Sequence, residues 1–153
     1  MPSPQLLFVL TDGGRARFVE RTRENGHYVT LEELDASARL QQLRRELRAS
    51  PPVRTISSTS PRRSAVGPDG FLRAAKEAFV AEVAARAQEI CRSRAFAGVV
   101  VAAPSRLIGR FKAELDARTP IAGTIRKDLA KTPDSELGAW LNQLYLNPPP
   151  ASA

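Results

Sequence analysis

Two short apolar runs, Leu6 to Leu10 (LLFVL) and Phe96 to Ala103 (FAGVVVAA), constrain this chain more than anything else in it. Each has the length of one strand, and neither approaches the roughly 20 residues that a bilayer-spanning helix needs. A strand with one wet face alternates apolar and polar residues; a strand without alternation is covered on both faces. The runs therefore predict the two central strands of a sheet packed between other layers. Gln5 to Thr11 is the first, and Phe96 to Ala102, interrupted only by Gly98, is the second.

The neighbouring segments complete the sheet. Asp12-Gly13-Gly14 is a turn signal, with the glycines read as suppliers of backbone freedom. Arg15 to Arg21 then alternates Ala16 and Phe18 against Arg15, Arg17 and Val19, as in a strand leaving by a hairpin. Arg15 and Arg17 are expected to solvate an exposed sheet face. Asn25-Gly26 marks a second hairpin, and His27 to Leu34 a third strand. Phe71 to Arg94 is the strongest helix signal, with Leu72, Ala75, Phe79, Val83, Ala87 and Ile90 on one apolar face. Glu82 and Arg86 are spaced to pair on its wet side. Pro104 stops the second apolar strand, and Ser105 is placed to cap a helix that turns Leu107, Ile108, Phe111 and Leu115 inward. Pro120 to Arg126 reads as a short strand. Thr132-Pro133-Asp134 opens a last helix, docked by Leu137, Trp140, Leu141 and Leu144. The later strands belong to β-α-β units and should run parallel with right-handed crossovers. The expected fold is α/β: a mixed five-stranded sheet in the order 3-2-1-4-5, with helices on its faces.

The chain of 153 residues suits one domain, placed over residues 1–147, with residues 148–153 a disordered tail. Residues 35–70 stand apart as a long basic loop or insertion, in which Ala38 to Ala49 can form a short helix. Seven arginines against three acids give this segment +4 of the chain's net +7. Such a balance permits nucleic acid or an acidic surface as partner, although an arginine-rich proteome produces the same excess without any ligand. Cys91 is the single cysteine, so no internal disulfide forms, and its apolar helical setting makes it a buried thiol. The opening residues lack a basic stretch and a small-residue cleavage site. With no candidate span, these features predict a cytoplasmic protein.

Few residues here suggest catalysis. A two-metal nuclease gathers several carboxylates around Mg²⁺. Asp12 at a strand end is a candidate first metal ligand, but the end of the fourth strand reads Ala102-Ala103-Pro104, and Glu77 and Glu82 fit a solvated helix face. His27, the only histidine, sits beside a turn with no partner in view. One Cys and one His leave no zinc spacing, and Asp12 to Arg17 (DGGRAR) is neither a P-loop nor a dinucleotide fingerprint. No cofactor is expected. The candidate nucleic-acid or anion-binding residues are Arg62, Arg63 and Ser64 in the loop, with Arg44, Arg45 and Arg48 as a stripe beside them. Little aromatic interleaving accompanies them, so charge alone suggests sequence-blind contact with a phosphate backbone.

Four pieces in order, FVLTDGGRARFVE, RRSAVGPDG, FAGVVVAAPSRLIGRFKAEL and IRKDLAKTPDSEL, resemble the bacterial host-attachment protein family. That family is similar in turn to the middle domain of archaeal and eukaryotic peptide-release factors. The resemblance implies an RNase H-like three-layer layout, in agreement with the strand order above. In release factors the loop after the third strand carries a Gly-Gly-Gln tip. Here that loop holds Gln41 and Gln42 without it, and Gly13-Gly14 is followed by Arg15. The expectation is a non-catalytic binding protein with an unidentified protein partner. RNA or ribosome binding through the basic loop is the alternative, and an Asp12-based nuclease the third. A second copy of the chain is also an admissible partner.

Overall fold

The first apolar run lies at the middle of the sheet. In the computed structural model, which describes residues 5–49 and 67–143, the strands are Leu6–Thr11 (β1), Arg15–Arg21 (β2), Tyr28–Asp35 (β3), Gly98–Ala102 (β4) and Ile121–Ile125 (β5). They pair in the order β3-β2-β1-β4-β5. β1 is antiparallel to β2 and parallel to β4; β2–β3 is antiparallel and β4–β5 parallel. The helices are Ser37–Ala49 (α1), Pro68–Arg94 (α2), Ser105–Glu114 (α3) and the single turn Gly138–Leu141 (α4).

Both faces of the two central strands are covered, as the unbroken apolar runs demand. Leu7 and Val9 of β1 face α2 and α3, where they meet Phe79, Val80, Val83 and Phe111. Phe8 and Leu10 point the other way, onto Leu129, Leu137 and Leu141 of the C-terminal segment. Each such side chain, fully removed from water, stabilises the fold by about 1.5–3 kcal/mol. The break at Gly98 has a local cause. A Cβ there would lie 2.8 Å from the carbonyl oxygen of Pro120, so only glycine lets β4 approach the entry to β5.

Several local expectations need correction. α2 begins at Pro68 rather than Phe71, because proline suits a first helical turn whose N–H groups have no intrahelical acceptor. Ser105 does not cap α3; Pro104 holds the N-cap position, and no side chain caps the helix. The last helix divides into a 3₁₀ turn at Asp134–Glu136 and α4, with the poor helix former Gly138 at the junction. Leu137 and Leu141 are buried there, Trp140 is exposed, and Leu144 lies outside the described residues. Arg86 does not pair with Glu82. It reaches Glu32 on β3, with both N···O distances 2.6 Å, while Glu82 meets Arg39 of α1 at 3.3 Å.

The largest correction concerns Arg17. Far from solvating an open face, it is buried, because residues 129–134 cross that side of β2. Its Nη1 donates to the carbonyls of Leu129 (3.3 Å), Ala130 (3.4 Å) and Thr132, and its Nη2 to Thr30 Oγ1 (3.2 Å) and Asp134 Oδ1. The guanidinium thus satisfies the backbone of a segment with little regular structure of its own.

Candidate functional site

β1 and β4 are parallel neighbours whose chains leave in opposite directions. After β1 the chain turns back into β2; after β4 it passes through α3 to β5 on the other side. Ligands of open α/β sheets sit at such a switch point, in the crevice beyond the strand ends. In this chain Asp12-Gly13-Gly14 and Pro104-Ser105 lie there. The two glycines are needed for room, not for backbone freedom: the positive φ belongs to Gly26, at 70°. A Cβ on Gly13 would come within 3.1 Å of the Lys76 stem, and one on Gly14 within 3.1 Å of Leu40 Cδ1. The helices α1 and α2 therefore close directly over the turn.

The result is a cleft of about 440 Å³ into which five elements send a cation: Arg15 from β2, Arg44 from α1, Lys76 from α2, Arg106 from α3 and Lys131 from the segment after β5. Its apolar floor is Leu40, Pro104 and Leu107. A second hollow of about 350 Å³ shares Lys76 and Arg106 and adds Arg73. Arg15 meets Asp35 at 3.8 Å, whereas Arg44, Lys76, Arg106 and Lys131 make no ion pair among the described residues. Hydrogen bonds from the Ser37 hydroxyl and N–H hold Asp35 below the usual carboxylate range. Two carboxylates reach the cleft. Asp12 Oδ1 accepts the N–H groups of Gly14 (2.8 Å) and Arg15 (2.7 Å), and Asp128 Oδ1 that of Ala130 (3.1 Å). Asp12 is thus first a turn former. Among the described residues no group of three or more His, Cys, Asp or Glu is placed to hold a metal ion.

Of the residues singled out in the sequence, Arg44 and Asp12 reach the cleft. Arg45 and Arg48 are exposed on α1 and do not line it. Arg62, Arg63 and Ser64 lie outside the described residues, as do residues 50–66 of the loop assigned to 35–70. His27 is at the opposite end of the sheet, on the β2–β3 turn, where its N–H donates to Asn25 Oδ1 at 3.0 Å. Cys91 is buried, and burial pushes its thiol up to about 11. Lys76, Arg106 and Lys131 went unnoticed in the sequence as a group, because they are scattered along it. The available signal was positional: Arg106 follows closely on the proline that ends a parallel strand, where a ligand crevice is expected.

A family model described as "Protein required for attachment to host cells" matches residues 7–141, which take in all five strands but for Leu6 and every residue named in the cleft. No curated protein matches the chain. Among the described residues no helix is long and apolar enough to cross a membrane.

Proposed function

Because the chain belongs to the family of proteins required for attachment to host cells, we propose that it is a non-catalytic binding module whose recognition surface is the cationic cleft. The observation that carries this reading is the convergence of Arg15, Arg44, Lys76, Arg106 and Lys131 on one hollow. Like charges held around a cavity repel one another, and an anion placed among them relieves that repulsion. Lys76 and Lys131 would act as point charges, and the guanidinium groups as paired donors to carboxylate or phosphate oxygens. Family membership names a phenotype and leaves the chemistry to be argued from the site.

The absence of catalysis in this reading is supported by where the reactive side chains sit. Cys91 is buried with a raised thiol pKa, and His27 is at the far end of the sheet. Asp12 Oδ1 is engaged by two N–H groups, which gives the nuclease reading little support. We take the sheet order as RNase H-like and the likeness to release factors as one of layout, since the sequence after the third strand holds no Gly-Gly-Gln and Gly13-Gly14 is followed by Arg15. A cytoplasmic location remains part of this reading.

Calorimetric titration with inorganic phosphate tests the proposal. One phosphate per chain, bound more weakly as salt rises and lost in Lys76→Met, supports it. Binding that ignores Lys76→Met and Arg106→Gln overturns it. RNA or ribosome binding is the second reading, favoured by the exposure of Arg45 and Arg48 beside Arg44. It requires co-sedimentation with ribosomes that fades steeply with salt and weakens in Arg62→Ala/Arg63→Ala.

A further inference from the structure

We infer that the cleft takes a nucleoside diphosphate, bound through its phosphates and sugar. The inference rests on the anion-binding reading above and narrows it. Charge is the first argument. Among the described residues, five cations against the two carboxylates Asp12 and Asp128 leave a lining of net +3, the complement of a diphosphate ester with two to three negative charges. Size is the second. About 440 Å³ falls within the range of small-molecule sites and is far too small for a folded partner.

Shape separates this ligand from a polymer. The five cations come from five separate elements and surround one hollow, whereas a nucleic-acid strand is tracked by a row of cations with aromatic rings between them. Among the described residues no aromatic side chain lines the cleft. The carboxylates supply the remaining selectivity. Asp12 uses one oxygen on the N–H groups of Gly14 and Arg15 and Asp128 one on that of Ala130, and both stand at a cleft where a simple polyanion would be better served by neutral residues. Acceptors among cations suit a ligand that also donates hydrogen bonds, as ribose hydroxyls do. Leu40, Pro104 and Leu107 offer the base an apolar surface, and Ser37 and Gln41 are the neutral polar side chains beside it.

Calorimetry with phosphate, pyrophosphate, ADP, GDP and CDP on the full chain decides the matter. The expected order is phosphate weakest, pyrophosphate at least tenfold tighter, and the three nucleotides tighter again. Lys76→Met keeps the stem that packs on Gly13 and should weaken all of them at least tenfold, while Arg92→Gln, on the exposed far end of α2, changes nothing. Asp128→Asn should cut the nucleotide advantage while strengthening pyrophosphate, an opposed pair of effects that misfolding does not produce. Phosphate binding that depends on Lys76, with pyrophosphate and nucleotides no tighter, overturns the inference and leaves the anion-binding reading standing. A short RNA that displaces ADP and binds more tightly also overturns it. Loss of all binding in the wild type overturns both.

Discussion

Arg17 and Asp134, 117 residues apart in sequence, form an ion pair that pins the C-terminal segment across the second face of the sheet. The Arg17 side chain is 9% exposed and that of Asp134 39%. Asp134 also accepts the N–H (3.1 Å) and hydroxyl (2.6 Å) of Thr30. Replacing it strands a buried guanidinium. Loss of a buried ionic partner is a large effect, discounted here because the carboxylate is partly wet. Asp134→Asn should destabilise the protein by about 1–3 kcal/mol in urea unfolding, with no change in the slope of the transition.

The same pair sets an acid limit. Burial raises the Asp134 pKa, but hydrogen bonds from Thr30 and Arg17 outweigh it, and the net shift is downward from 3.8. A carboxylate depressed in the folded state stabilises above its unfolded pKa and loses that contribution as pH falls through the folded value. Glu32, lowered chiefly by its hydrogen bond from Arg86, acts in the same direction. The gap in melting temperature between wild type and Asp134→Asn should therefore be full near neutrality and shrink below about pH 4.

Ala95, which ends α2, sits in the left-handed region at φ 57° and ψ 40°. An L-residue with a Cβ is strained there, and glycine is the usual occupant. Ala95→Gly should raise stability by about 1 kcal/mol, read as a higher urea midpoint.

Gly98 predicts the opposite response to a methyl group. The 2.8 Å approach of the Pro120 carbonyl leaves no space for a Cβ, and the obstacle is backbone rather than a flexible side-chain end. Gly98→Ala should cost about 1–3 kcal/mol, with β4–β5 amides losing hydrogen-exchange protection first.

The sheet was legible in the sequence because its evidence is local. Leu6 to Leu10 is apolar throughout, Phe96 to Ala102 is interrupted only by Gly98, and Asn25-Gly26 announces its own turn. What could not be read there depends on elements distant in the chain. The burial of Arg17 requires residues 129–134 to cross β2, and the choice of Glu32 over Glu82 by Arg86 requires β3 beside α2. Gly13 and Gly14 look like any turn pair until Lys76 and Leu40 are seen to press on them. The cleft is legible in part through Arg44 and Asp12. Its other cations become a site only when five elements meet, so a local run of charge, such as Arg62-Arg63, was the more visible signal.

An amide chemical-shift map of the protein titrated with inorganic phosphate tests the central claim most directly. The account predicts shifts concentrated at Gly13, Gly14, Lys76 and Arg106, the residues that surround the cleft. Shifts confined to the exposed Arg45–Arg48 side of α1 or to the Gly26–His27 turn, or no shifts at all, would contradict it.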